Sequence, residues 1–329
     1  MRGRAVGLGL LALGAFLLAG ALIIPLLLVP ALVKLPLDEQ VLAVADGTGV
    51  AFFNVGDQKQ LQDLNVTVRQ KVVGHPDAAG AGDDVAVWEH GTALVSSDGT
   101  VLKASTYQVC LDRTTALAVS CPSTTVDGHT GARIDGLTMT FPLDVQKTTY
   151  PVYDSTAGKA FPARFQGVET KGGVQVYRFE QTVPETVVET TQVPGTMAGT
   201  TSTTNVSADF VYSNTRSFWV EPTSGVIVTG DQHPKEVVRG PGGAQGATLL
   251  AGTFTADPQT LAEGVNRAKD SRFQITMLRT VLPWTMAGLG LLLVVVGFLL
   301  GRRGRAGGHR AATDTPANSS DTVQVAQVQ

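Results

Sequence analysis

The chain has 329 residues, of which 43% are apolar and 16% charged, and its formal net charge is −3. Charge is scarce for a soluble protein of this length, which points to membrane segments. The sequence has two cysteines and no GxSxG, HExxH or P-loop motif, so it predicts no hydrolase, no metal site and no cofactor.

The first predicted element is an apolar helix near the N-terminus. Residues 5–33 contain no charged side chain, and about 20 apolar residues span the hydrocarbon core as a helix. We predict a transmembrane helix at 5–33, preceded by a cytoplasmic N-terminus at 1–4. The alternative is a cleaved signal peptide, but cleavage at the small residues Ala19 and Ala21 would leave IIPLLLVP exposed at the new N-terminus.

Residues 34–279 have the pattern of a β-rich domain. LNVTVRQKVV alternates apolar and polar positions as a half-buried strand does, and Asp98-Gly99 marks a hairpin turn. One helix is predicted to start at Asp257-Pro258, because proline is favoured at the first helical position. The predicted fold class is α+β and mostly β, with a β-rich ectodomain between an N-terminal and a C-terminal transmembrane helix.

The charge of this domain limits its partners. Six of the 25 basic residues and two of the 28 acidic residues lie outside 34–279, which leaves 19 against 26 and a net charge of −7. Nucleic acid is therefore not an expected partner, since its binding needs a basic surface.

The two cysteines, Cys110 and Cys121, both fall in the predicted outer domain. An oxidising compartment favours a disulfide between them, with two buried thiols as the alternative.

Four aromatic residues attract attention in FPLDVQKTTYPVYDSTAGKAFPARFQG: Tyr150, Tyr153, Phe161 and Phe165. One interpretation places them in the core, holding an irregular segment against the sheet. The other makes some of them ligand-binding residues that line an apolar groove for an acyl chain or a sugar. No catalytic residue is predicted, and His90 and the other histidines are interpreted as ordinary polar residues.

A second uncharged run at 280–301 predicts the C-terminal transmembrane helix, and a polar segment at 302–329 predicts a disordered cytoplasmic tail. Positive charges flank both spans on the side of the chain ends: Arg2, Arg4, Arg302, Arg303, Arg305 and Arg310. By the positive-inside rule, both termini are cytoplasmic and 34–279 lies outside the plasma (inner) membrane.

Several stretches, in this order, resemble the PorA-like family of actinobacterial envelope proteins: AVWEHGTALVSSDGTVLKASTYQVCLDRTT, FPLDVQKTTYPVYDS, YRFEQTVPE, VPGTMAG and FWVEPTSGVIV. The matching positions include Trp88, Asp112, Arg113, Phe141, Pro142, Tyr150, Asp154, Tyr177, Phe179, Glu180, Trp219, Glu221, Pro222 and Gly225. The resemblance covers nearly the whole chain. It implies an ectodomain between two transmembrane helices and a role in building the envelope, including glycolipid and lipoglycan steps.

The leading hypothesis from the sequence is a non-enzymatic inner-membrane protein that binds or hands on an envelope glycolipid or lipoglycan, together with a membrane transporter or synthase. A protein-binding scaffold is the second hypothesis, and a glycan-acting enzyme the third. A pore, as the family name suggests, ranks last, because the two spans offer almost no polar lining residues.

Overall fold

The computed structural model describes residues 2–303, which form two compact units. One unit contains residues 2–27 together with 279–303, and the other is Leu28–Leu278. Most of the tail predicted at 302–329 lies outside the described residues.

Two apolar helices, α1 (Arg2–Ile23) and α4 (Leu282–Arg303), form the first unit, and α2 (Val29–Leu32) and α3 (Pro258–Thr276) lie at the two ends of the second unit in the sequence. A π-helical turn (Ile24–Leu28) follows α1, and a second π-helical turn (Met277–Val281) precedes α4. The first π-turn contains Pro25, which has no N–H for the regular helical ladder. Two segments, Ala5–Leu32 and Pro258–Arg302, are long and apolar enough to cross a membrane.

Helices α1 and α4 pack through four glycines, which we call the glycine seam: Gly7, Gly14, Gly290 and Gly297. A Cβ atom added to Gly14 would lie 2.7 Å from the carbonyl oxygen of Gly290, and one added to Gly297 would lie 2.8 Å from that of Gly7. Only glycine permits this approach. The seam is typical of membrane helices, which associate by close packing because lipid gives them no hydrophobic driving force.

The second unit is built from fourteen described strands. They are β1 (Gln40–Asn54), β2 (Lys59–Gly74), β3 (Val85–Ser96), β4 (Val101–Asp112), β5 (Ala118–Val119), β6 (Thr125–Val126), β7 (His129–Thr130), β8 (Tyr150–Asp154), β9 (Lys159–Lys171), β10 (Val174–Pro194), β11 (Asn205–Val220), β12 (Ile227–Gln232), β13 (Lys235–Arg239) and β14 (Gln245–Ala256). The mostly-β fold class predicted from the sequence is confirmed.

These strands belong to one antiparallel sheet in the order β7-β6-β4-β3-β2-β1-β14-β12-β11-β10-β9-β8. In addition, β13 pairs with both β11 and β14, and β5 pairs with β4. Leu137 then closes the circle, because it bridges to Leu117 beside β5 and to Val152 on β8. The N–H of Leu137 donates to the Pro151 carbonyl at 2.8 Å, and its own carbonyl accepts from Tyr153 N–H at 2.7 Å. The sheet is therefore closed into a barrel at this level.

The largest apolar cluster lies under this closure and includes Trp88, Phe141 and Phe179. The FWVEPTSGVIV motif is positioned against it by a tight turn at Gly225, whose φ is +74°. A Cβ there would meet the Phe141 carbonyl oxygen at 2.1 Å, so only glycine fits. The buried carboxylate of Glu221 accepts hydrogen bonds from the N–H and hydroxyl of Ser224, both at 2.7 Å. The residues of this motif therefore have structural roles in forming the turn.

Two further sequence predictions are confirmed by the structure. Asp257 caps α3, and its carboxylate accepts the Thr260 N–H at 2.6 Å. Cys110 on β4 and Cys121 after β5 form a disulfide, with their Cα atoms 6.1 Å apart.

Candidate functional site: a polar cavity inside the β domain

The β domain contains a partly open cavity of about 590 Å³. This volume is within the usual range for small-molecule sites. Alternate residues of successive strands line it, for example Val68, Gln70 and Val72 on β2. Because successive side chains of a strand point to opposite faces, this alternation shows that the cavity is bounded by the inner face of the sheet.

Two apolar clusters border the cavity without meeting. On β2, Val72 belongs to the large cluster around Trp88, whereas Val68 belongs to a second cluster with Leu94 and Phe254. All five of these side chains also line the cavity. The cavity therefore occupies the space between the two clusters.

Polar residues fill the strand positions between the clusters. Gln70 on β2 pairs with Thr92 on β3, which pairs with Ser105 on β4, and one step along His90 pairs with Tyr107. We call these five residues the polar belt. All of them line the cavity, so a polar strip crosses three neighbouring strands where a filled core would have apolar side chains.

Elsewhere in the cavity wall, a buried network surrounds Arg216 of β11. Its Nε donates to Gln181 Oε1 at 2.7 Å, and its Nη2 donates to the Tyr153 carbonyl at 2.9 Å and also contacts Gln181 Oε1. The Asp154 carboxylate lies 3.5 Å from Nη2 and accepts the Tyr212 hydroxyl at 3.0 Å. We call Arg216, Asp154, Gln181, Tyr212 and the adjoining Asn214 the Arg216 network.

The network is positioned by its neighbours in the fold. The side-chain amide of Gln181 donates to the carbonyls of Val152 and Phe161, which anchors β10 against the β8–β9 hairpin. The other oxygen of Asp154 accepts the N–H groups of Thr156 and Ala157 in the turn after β8, at 3.1 and 2.9 Å. Both charged residues are thus held by several hydrogen bonds each, as buried charges require.

Burial changes the chemistry of the titratable groups in the cavity wall. Burial, followed by the positive charge of Arg216, lowers the pKa of His90 from 6.5 to about 4. The imidazole is therefore neutral at physiological pH. Burial is also the main reason why the pKa values of Tyr107 and Tyr212 are raised above 10, so both phenols stay protonated.

The charged side chains of the wall are balanced and mostly paired. Arg216 faces Asp154, Lys103 binds Glu236 through both carboxylate oxygens at 2.6 and 2.7 Å, and Arg267 lies 3.7 Å from Glu39. The remaining charged lining residues are Lys34 and Asp231. The four basic and four acidic groups give the wall no net charge.

The four aromatics singled out in the sequence lie in different places. Tyr153 lines the cavity and is buried, with its ring 5.8 Å from that of Tyr107. Phe161 packs in a small cluster with Val183 and Tyr212.

Tyr150 and Phe165 pack at the large cluster, where each ring makes an edge contact with Phe179, at 5.7 and 5.8 Å. The structure thus brings one of the four aromatics to the cavity, and a binding role for them stays a prediction.

The sequence analysis missed the polar belt and Arg216. A signal was present in LNVTVRQKVV, where Gln70 occupies the register of Val66, Val68 and Val72. A polar residue in the inward register of a strand either has a buried partner or faces a cavity. His90, interpreted as an ordinary polar residue, was a second signal of the same kind.

The family model described as Porin PorA matches residues 6–299. This chain belongs to the PorA family. A protein named Porin PorA from Corynebacterium amycolatum is 27% identical over 381 aligned residues, covering 90% of this chain and 98% of that protein. Another protein of the same name, from Corynebacterium resistens, is 23% identical over 312 residues, covering 70% of this chain and 75% of that protein.

These relatives correct the functional hypothesis drawn from the sequence. Both carry the name of a pore-forming protein, and neither name refers to glycolipid handling, to a scaffold or to an enzyme. The leading hypothesis, binding or transfer of a glycolipid or lipoglycan, is therefore wrong, and the scaffold alternative has no support. The error arose because polar lining residues were sought only in the two spans, whereas the polar cavity lies in the β domain.

Proposed function

We propose that this protein is a membrane-anchored, non-enzymatic pore-forming protein of the PorA family, in which the interior of the β domain is the pathway for small polar solutes. The helix pair anchors the domain. Residues Ala5–Leu32 contain no charged, hydroxyl or amide side chain, so α1 and α2 have nothing to line an aqueous path.

The observation that carries the proposal is the polar belt inside a closed sheet. A filled barrel core excludes water, whereas this interior keeps about 590 Å³ and places hydroxyl, amide and imidazole groups against it. The names of the family relatives are the independent support.

In the proposed orientation, both termini are cytoplasmic and the β domain is outside the plasma membrane. The arginines of the first turn of α1, and those that end α4 and follow it in the sequence, support it, because positive charge is retained on the cytoplasmic side. The disulfide supports it too, since such bonds persist in oxidising compartments. Association with an envelope transporter or synthase stays a prediction.

The test is the single-channel conductance of the purified full chain in planar lipid bilayers, with a tryptophan placed inside or outside the cavity. Ser105 faces the cavity, and Thr106, the next residue on β4, does not line it; both are exposed. Ser105→Trp fills part of the pathway and should reduce the conductance severalfold. Thr106→Trp adds the same side chain to the opposite face and should leave the conductance unchanged.

Unfolding temperatures of both variants control for misfolding. If folded Ser105→Trp conducts like the wild type, the pathway does not run through the cavity. If the wild type produces no conductance steps at all, the protein is not a pore.

A further inference from the structure

Arg216 lines the cavity, and one of its guanidinium nitrogens makes no hydrogen bond to the described residues. Within residues 2–303, the hydrogen bonds of its guanidinium are made by Nε and Nη2, to Gln181 and to the Tyr153 carbonyl. Nη1 has none, and the side chain lines the cavity with 19% of its surface exposed. A guanidinium amino group donates two hydrogen bonds, so two strong donors are available to a solute.

Asp154, the acidic partner of Arg216, leaves the hydrogen-bond donors of Nη1 unused. The Asp154 carboxylate lies on the Nη2 side at 3.5 Å, which is longer than a direct charge-assisted hydrogen bond. Its oxygens already accept three other donors, from Thr156, Ala157 and Tyr212. Asp154 therefore helps to hold Arg216 in place, and the hydrogen-bonding capacity of Nη1 is left unused by the described residues.

The groups around Arg216 favour a negative ligand. The positive charge of Arg216 acts on two residues of the polar belt. It adds to the effect of burial in lowering the pKa of His90, and it partly offsets the larger effect of burial, which raises the pKa of Tyr107. Tyr107 and Tyr153 are protonated phenols at the cavity wall, and Thr92 and Ser105 add hydroxyl donors. Among the described residues, the acidic lining groups Glu39 and Glu236 have their own basic partners, whereas Asp231 makes no ion pair.

We propose that the cavity contains an anion-binding site centred on Arg216, which selects small solutes bearing a carboxylate or a phosphate. This inference deepens the proposed function by assigning the class of solute. The anion accepts from Arg216 Nη1, and the phenols and hydroxyls of the cavity wall complete its shell. The apolar clusters on either side accommodate the body of the solute, for which Trp88 and Phe218 supply aromatic surface.

The test measures binding without a membrane, by isothermal titration calorimetry of the full chain in detergent. Benzoate and phenyl phosphate are the anionic probes, and benzamide and benzylamine are the neutral and cationic probes of similar size. We expect the anions to bind at least about tenfold more tightly than benzamide, the difference typical of a charge-assisted hydrogen bond. Whichever of benzoate and phenyl phosphate has the lower dissociation constant shows whether the site prefers a carboxylate or a phosphate.

Arg216→Gln/Asp154→Asn removes both charges together and leaves no buried charge without a partner. We expect this double variant to stay folded and to lose the preference for benzoate over benzamide. The matched control is Arg178→Gln/Glu180→Gln, an ion pair outside the cavity with its atoms 3.3 Å apart, which should keep that preference.

Equal binding of benzoate and benzamide to the wild type would overturn the inference. So would a folded double variant that retains the preference. Because the assay needs no conductance, a chain that binds benzoate but forms no channel refutes the pore and leaves the anion site standing. A chain that conducts without binding either anion supports the pore and refutes the anion site.

Discussion

At the glycine seam, the backbones of α1 and α4 approach until no Cβ fits between them. Inside the β domain, the two apolar clusters remain apart and leave about 590 Å³ between them. The helices have no hydrophobic effect to bring them together in lipid, so close contact is their source of stability. The β domain instead buries several apolar clusters, and its sheet keeps a polar interior between two of them.

The two units therefore differ in the substitutions that they tolerate. An added Cβ at the seam would meet backbone atoms, which must shift to admit it, whereas the cavity leaves room beside its lining side chains. The cavity instead depends on its few buried charges and polar groups being satisfied. Three predictions test this difference, from the largest expected effect to the smallest.

Removing one charge from the Arg216 network should have the largest effect. Arg216→Met leaves the Asp154 carboxylate, 3% exposed, without its cationic partner. Breaking a buried pair in this way costs about 3–5 kcal/mol of unfolding free energy. Urea unfolding measures it, and Arg216→Gln/Asp154→Asn should recover most of the loss. A single variant as stable as the wild type would show that the network does not hold the cavity wall.

Protonation of His90 should have the next largest effect. Its folded-state pKa of about 4 lies below the unfolded value of 6.5, so the unfolded chain binds more protons between these values. Stability is full above pH 6.5 and falls by about 3 kcal/mol as the pH drops to 4.

The variant His90→Gln should remove this contribution from the pH profile of unfolding free energy. His129→Gln, at an exposed position on β7, should keep it. Identical profiles for the wild type and His90→Gln would mean that His90 titrates normally in the fold.

A methyl group in the glycine seam should have the smallest effect. Gly14→Ala places a Cβ 2.7 Å from the Gly290 carbonyl oxygen, and overpacking of this kind costs about 1–3 kcal/mol. Gly9→Ala is the control, because a Cβ at Gly9 meets nothing within 4 Å. Energy transfer between labels on the two helices during an SDS titration measures their separation. Equal midpoints for both variants would contradict close packing at the seam.

The sequence predicted the parts of this molecule that follow from local patterns. Length and apolarity predicted the two helices that are long and apolar enough to cross a membrane, Asp257-Pro258 predicted the start of α3, and alternation predicted the β-rich domain. The cavity depends on long-range pairing instead. Gln70, Thr92 and Ser105 become neighbours only when three strands align.

The Arg216 network was beyond sequence reasoning for the same reason. Arg216 is 62 residues from Asp154 in the chain and 35 from Gln181, and no local pattern relates them. The four aromatics near Tyr150 stood out by composition, but the sequence analysis treated their segment as irregular because of its three prolines. That interpretation was wrong: the four residues lie on the hairpin of β8 and β9, where buried and exposed positions alternate around Phe161 and Ala163.

The short closure of the sheet determines where the β domain opens locally. Most strands are held by long ladders, but the join between β5 and β8 depends on Leu137 and on one neighbouring bond, from Ala118 N–H to the Gly136 carbonyl at 2.9 Å. Local opening begins where the fewest backbone hydrogen bonds must break together. The amides of Ala118, Leu137 and Tyr153 should therefore exchange with solvent before those of β10 and β11. Such an opening would add a side entrance to the partly open cavity without unfolding the rest of the barrel.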